Sequence, residues 1–95
     1  MDKNTVFEPQ RLLEAMIQLL RNRAEEKQLN LSLHNKGLPS HLVGKPIVLR
    51  RLLINLVSNA IKYTERGVIT VSAQWLVDSG ELLVEVADTE AWPIA

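Results

Sequence analysis

Asn55-Leu56-Val57-Ser58-Asn59-Ala60-Ile61-Lys62-Tyr63-Thr64 is the stretch of this sequence that decides its fold. Asn55, Asn59 and Lys62 stand at positions i, i+4 and i+7, which places them along one side of a helix. The opposite side is predicted to be apolar and to face the core: Leu49, Leu52, Leu53, Leu56, Val57 and Ala60. One short helix therefore combines a core face with a polar face.

The hydrophobic pattern of the whole chain predicts the element order β-α-β-α-β-β. We expect strands at residues 5–7, 29–34, 68–75 and 82–87, helices at 9–27 and 46–63, a loop over 35–44 and a turn at 78–80. Two amphipathic helices need a sheet to cover, so the predicted fold class is α+β. It is a two-layer α/β sandwich with two helices packed on one face of a mixed sheet. Residues 1–95 form a single domain, in which 89–95 are expected to be irregular.

Composition excludes several kinds of function. The 11 Lys and Arg residues balance the 11 Asp and Glu residues, so the chain has no general attraction for nucleic acid or for an anionic membrane. The sequence holds no cysteine, which excludes disulfides and thiolate metal sites. No apolar run is long enough to span a bilayer, and the N-terminus lacks the apolar segment of a signal peptide. We expect a cytoplasmic location, which includes the cytoplasmic part of a larger membrane protein.

The polar side of the second helix has two interpretations. Asparagine is mildly unfavourable inside a helix, and a divalent cation with a triphosphate would justify two of them one turn apart. The amide oxygen is a hard ligand that suits Mg²⁺, and Lys62 would supply a point charge to phosphate oxygens. Tyr63 could lie against a nucleobase. Spacing alone leaves open the alternative, which is a solvated helix side with incidental asparagines.

The run from Leu49 to Ile69 closely resembles the N-box of sensor histidine kinases, which belong to the gyrase/Hsp90/histidine kinase/MutL ATPase superfamily. Residues 7–9 and the following helix resemble the entry into the kinase ATP domain, and residues 27–31 resemble its second strand. Residues 44–46 resemble the family's Gly-Asp-Pro sequence, with lysine in place of aspartate. The similarity extends to Asp88 and implies a partial Bergerat-type fold.

This resemblance implies a role for each of five residues, with Mg²⁺ and ATP as ligands. Asn59 matches the asparagine that ligates Mg²⁺, and Lys62 matches a lysine that contacts phosphate. Asn55 matches a catalytic position one turn earlier, which positions water or base. Tyr63 matches an aromatic residue beside adenine, and Asp88 matches the aspartate that accepts a hydrogen bond from the adenine amino group. Gyrase-type ATPases have glutamate at the position of Asn55, so its asparagine favours the kinase branch.

The sequence departs from the family after Asp88. The family motif is Asp-Thr-Gly-x-Gly, and here Glu90 and Trp92 replace both glycines. Because glycine lets the backbone turn closely around a ligand, we predict that this chain by itself does not bind ATP effectively. We also hypothesise that Trp92 folds into the adenine pocket.

Three functions follow from these observations. The first is the ATPase-like portion of a sensor histidine kinase or phosphorelay protein in two-component signal transduction, which positions MgATP for phosphoryl transfer to a histidine on another domain. The second is a degenerate interaction module that docks a response regulator receiver or a phosphotransfer domain without using nucleotide. The third, an anti-sigma or gyrase-like ATPase, is disfavoured by Asn55 and by the kinase-like flanks. We do not expect this chain alone to be an enzyme, although the protein that it resembles is a protein histidine kinase.

Overall fold

Two helices cover one face of a mixed three-stranded sheet in the computed structural model, which describes residues 4–88. The elements in chain order are β1 (Thr5–Phe7), α1 (Pro9–Glu26), β2 (Leu29–Lys36), β3 (Leu42–Gly44), α2 (Pro46–Tyr63), β4 (Gly67–Leu76) and β5 (Glu81–Asp88). In the sheet, β4 lies between β2, to which it is parallel, and β5, to which it is antiparallel. The predicted two-layer α+β architecture is confirmed.

The predicted element order lacks one strand. The segment 35–44, predicted as a loop, contains β3, which pairs antiparallel with β1 so that Val43 lies opposite Val6. These two strands form a small sheet of their own and do not extend the main sheet. A three-residue strand has almost no local signal, because its stability comes from pairing with residues far away in the chain.

The helices begin and end as local chemistry predicts. Each has proline in its first turn, Pro9 in α1 and Pro46 in α2. Proline is well tolerated there, because the missing N–H would have had no partner in the helix. Helix α1 ends where Gln28 adopts a left-handed backbone with a φ of 63°. Helix α2 ends because Thr64 is extended, with φ −93° and ψ 127°.

The core lies between the helices and the sheet. From α2, four residues spaced one turn apart are buried: Leu49, Leu53, Val57 and Ile61. From α1 and the strands, the core takes Leu12, Leu13, Met16, Ile17, Leu20, Ala24, Leu29, Leu31, Ile69, Val71 and Ala73. Burial of these apolar side chains is the main stabilising contribution to the fold.

The prediction that Leu52 faces the core is wrong. Its side chain is 43% exposed, and it lines an apolar cleft with Phe7 and Trp75. Leu56 and Ala60 are half-buried. The reason is geometric: α2 buries only one residue per turn, from Leu49 to Ile61, and Leu52 lies beside that stripe.

Strand β5 alternates between the two faces of the sheet, with every second residue half-buried from Leu82 to Asp88. Leu82, Val84 and Val86 pack against the core beneath the helices. The same alternation turns Asp88 toward the helix layer, because successive side chains of a strand point to opposite faces.

Candidate functional site

The predicted polar side of α2 is present in the structure. Asn55, Asn59 and Lys62 are all exposed, on the same helix as the buried stripe of Leu53 and Val57. Neither asparagine amide has a hydrogen-bond partner among residues 4–88. An amide oxygen without a protein partner can act as a ligand for a hard cation.

Lys62 and Tyr63 contact each other at the end of α2. The Nζ of Lys62 lies 5.4 Å from the centroid of the Tyr63 ring, and that side chain is 67% exposed. A cation–π contact at an exposed site contributes only about 0.5–1 kcal/mol. The pair can therefore separate when an anion or an aromatic ring competes for either partner.

Asp88 is joined to the end of α2 by a side-chain hydrogen bond. The Thr64 hydroxyl donates to the Asp88 carboxylate at 3.1 Å between Oγ1 and Oδ2. Thr64 is 1% exposed and follows the last residue of the helix, while Asp88 is the last residue of β5. The structure thus brings the predicted adenine acceptor next to the helix that carries Asn59 and Lys62.

Lys27 also contacts the C-terminal end of α2. Its Nζ donates to the carbonyl oxygen of Ile61 at 2.6 Å and to that of Lys62 at 3.2 Å. Carbonyl groups in the last turn of a helix lack intrahelical partners and carry partial negative charge, so an ammonium group stabilises them. This contact connects the C-terminal ends of both helices at the predicted phosphate-binding lysine.

The sequence pattern predicts no role for Thr64 or for Lys27. The N-box match includes Thr64, but only the tertiary structure shows that its hydroxyl is buried against a residue 24 positions away. Lys27 lies 34 positions from Ile61, so no local pattern points to their contact. A buried polar side chain nearly always has a hydrogen-bond partner, but the burial of Thr64 is not visible in the sequence.

The two histidines of the chain lie outside α2 and β5. His34 is exposed in β2, and His41 is exposed just before β3. Glu90 and Trp92 lie outside the described residues. The hypothesis that Trp92 enters the adenine pocket therefore concerns a residue that the structure does not describe.

Among residues 4–88, no group of three or more His, Asp or Glu side chains lies close enough to hold a metal ion. The exposed amide oxygen of Asn59 is of a ligand type that Mg²⁺ accepts alongside several waters. No helix in the same part of the chain is long and apolar enough to cross a membrane.

Curated proteins with similar sequences include bacterial sensor kinases. The chain is 42% identical over 82 residues to the sensor histidine kinase GacS of Pseudomonas protegens, covering 82% of this chain and 9% of that protein. It is 34% identical over 84 residues to the sensor protein TorS of Escherichia coli, covering 87% of this chain and 9% of that protein. The chain thus spans about a tenth of the length of these relatives.

Solved structures and a family profile agree with these similarities. Full-length ShkA in complex with AMPPNP matches 98% of this chain and 20% of its own, with a TM-score of 0.84 and 28% identity. The catalytic domain of the histidine kinase ThkA matches 88% of this chain and 58% of its own, with a TM-score of 0.75 and 21% identity. The profile of the family described as histidine kinase-, DNA gyrase B- and HSP90-like ATPase matches residues 44–91. This chain therefore belongs to that ATPase family, in which its similar relatives are the sensor histidine kinases of two-component systems.

Proposed function

We propose that this chain is the nucleotide-positioning portion of a sensor histidine kinase and that it binds MgATP only weakly by itself. The observation that carries the proposal is the arrangement around the end of α2. The helix presents exposed Asn55, Asn59 and Lys62, and the Thr64 hydroxyl holds Asp88 beside its last turn. The AMPPNP complex of the related ShkA supports a nucleotide ligand.

Each group has a distinct role in this proposal. Asn59 ligates Mg²⁺, and the ammonium group of Lys62 neutralises phosphate oxygens. Asp88 accepts a hydrogen bond from the adenine amino group, and the Tyr63 ring lies against the base. Asn55 orients the reacting groups one turn earlier on the helix.

Catalysis of phosphoryl transfer consists mostly of positioning and charge neutralisation, which these side chains supply together. The histidine that receives the phosphoryl group would lie on another domain. The whole reaction therefore needs more of the protein than this chain, which we propose to be part of the cytoplasmic region of a longer sensor.

Weak binding follows from the residues after Asp88. Glu90 and Trp92 stand where the family motif has glycine, and a residue with a β-carbon restricts the close turn of the backbone around a ligand. The contacts from α2 and Asp88 are retained. We therefore expect a dissociation constant near 1 mM, which corresponds to about −4 kcal/mol.

Titration with a fluorescent ATP analogue and Mg²⁺ tests the proposal. We expect saturable binding that is weakened about tenfold or more in Asn59→Ala and by removal of Mg²⁺ with EDTA. The matched control is Asn22→Ala, which removes an exposed asparagine from α1 and should leave binding unchanged. Restoring both glycines with Glu90→Gly and Trp92→Gly should strengthen binding.

Two results would contradict this function. Binding that is equally strong in Asn59→Ala would remove the metal role of the helix face. No binding at about 10 mM nucleotide, even after both glycines are restored, would mean that the retained side chains contribute less than about 3 kcal/mol to nucleotide binding.

A second candidate function is docking of a response regulator receiver or phosphotransfer domain. Its support is an apolar cleft of about 420 Å³ lined by α2, the β1–β3 sheet and the β4–β5 hairpin, which exposes Val48 and Leu52. ThkA, a distant structural relative, is known in complex with the response regulator protein TrrA.

NMR shift mapping with a receiver domain tests this docking function. We expect receiver-induced shifts at the cleft that disappear in Leu52→Asp. The control is Leu19→Asp, because Leu19 is 62% exposed on α1 and does not line the cleft. Receiver binding that survives Leu52→Asp would contradict a role for this cleft.

A further inference from the structure

Thr64 differs from the other buried residues of the described part of the chain. Among residues 4–88 it is the sole polar or charged residue in the buried class, at 1% exposure. A buried hydroxyl without a partner is costly, whereas valine has nearly the same shape and no such cost. The hydroxyl of Thr64 is paired, and its side-chain partner is Asp88. The contact with the Asp88 carboxylate therefore explains why a polar side chain occupies this buried position.

The backbone of Thr64 is fixed as well. Its N–H donates to the carbonyl oxygen of Ala60 at 2.9 Å, which ties the residue to the last turn of α2. Asn59 and Lys62 belong to the same part of this helix. The hydrogen bond from Thr64 to Asp88 thus connects the proposed metal and phosphate groups with the proposed base acceptor at the end of β5.

This hydrogen bond engages only one of the two oxygens of the Asp88 carboxylate. An ionised aspartate has two oxygens that accept hydrogen bonds. The Thr64 hydroxyl is bonded to Oδ2, and the remaining oxygen, Oδ1, has no partner among residues 4–88. A carboxylate held through one oxygen keeps the other in a fixed direction, where it can accept from a ligand N–H.

We infer that Thr64 is a positioning residue for adenine recognition, which holds the Asp88 carboxylate so that Oδ1 meets the exocyclic amino group of the base. The inference deepens the proposed function and rests on it. Removing the hydroxyl would leave Asp88 able to rotate and would weaken recognition of the amino group. It would leave contacts with metal and phosphate nearly unchanged, because those come from exposed groups on α2.

The test compares two ligands and two substitutions of Thr64. The ligands are ATP and the triphosphate of purine riboside, which lacks the exocyclic amino group, each titrated with Mg²⁺ and followed by NMR. Thr64→Val should weaken ATP binding about 5- to 10-fold, the range for loss of one hydrogen bond, and should change purine binding little. Thr64→Ser keeps the hydroxyl and should retain the preference for ATP.

The matched control is Thr70→Val. Thr70 accepts a hydrogen bond from the Ser32 hydroxyl at 3.4 Å, so its replacement also removes a threonine hydroxyl from a side-chain pair. A residue with only a structural role would lower stability without altering the ratio of ATP to purine affinity. An unchanged ratio in Thr64→Val would overturn the inference.

A second measurement does not depend on nucleotide binding. The three-bond couplings of the Asp88 β-protons report whether its side chain occupies one rotamer. We expect one rotamer in the unsubstituted chain and in Thr64→Ser, and rotamer averaging in Thr64→Val. Averaging in the unsubstituted chain would overturn the positioning role even if ATP binds. If neither the unsubstituted chain nor the variant with both glycines restored binds either ligand, the proposed function fails and the adenine role fails with it.

Discussion

Leu53→Ala is the substitution whose effect the structure determines most directly. Leu53 is 0% exposed, in the middle of the stripe that α2 packs against the sheet. The change removes three carbon groups, and at about 0.8 kcal/mol for each buried group the lost transfer free energy is roughly 2.4 kcal/mol. The cavity left behind raises the expected loss to about 3–5 kcal/mol. A domain of this size has a total stability on the order of 5–10 kcal/mol, so the loss is large.

Leu52→Ala is the matched control, since it removes the same atoms from the adjacent residue. Leu52 is 43% exposed, so about half of the transfer free energy applies and no closed cavity forms. We expect a loss of about 1 kcal/mol. Leu56 is half-buried, and Leu56→Ala should fall between the two, below the loss predicted from the sequence.

Urea unfolding followed by far-ultraviolet circular dichroism measures all three losses. The midpoint should fall furthest for Leu53→Ala while the slope stays constant, because the surface exposed on unfolding is nearly the same. Equal losses for Leu53→Ala and Leu52→Ala would refute the assignment of helix faces. A loss below about 1 kcal/mol for Leu53→Ala would show that this stripe does not face a packed sheet.

Three further predictions concern single contacts. Lys27→Met should lower the free energy of unfolding by about 1 kcal/mol, because two carbonyl groups at the end of α2 lose a charged donor; Lys27→Arg is the control that retains the charge. Gln28→Gly should raise thermal stability by up to about 1 kcal/mol, since φ at this position is 63°, and an unchanged or lower melting temperature would count against it. Gly80→Ala should cost about 1 kcal/mol through backbone strain alone, because φ is 69° and no atom lies within 4 Å of an added Cβ; equal unfolding midpoints would contradict this.

Local pattern was sufficient to predict both long helices, the hairpin of β4 and β5, and the exposed face of Asn55, Asn59 and Lys62. These features depend on periodicity within one segment, which a single sequence displays directly. The family resemblance was equally accessible, since it depends on the order of residues along one helix. The proposed roles of the individual side chains remain to be tested by the nucleotide titrations.

Contacts between distant segments were decided by the tertiary structure alone. The pairing of β3 with β1, the hydrogen bond from Thr64 to Asp88 and the contact of Lys27 with the end of α2 each join residues far apart in the chain. Helical periodicity likewise does not distinguish Leu52 from Leu53. The position of the sheet determines that Leu53 is covered and that Leu52 stays exposed. The physical reason is the same in each case: periodicity assigns a side chain to a face of its own helix or strand, and only packing determines what lies against that face.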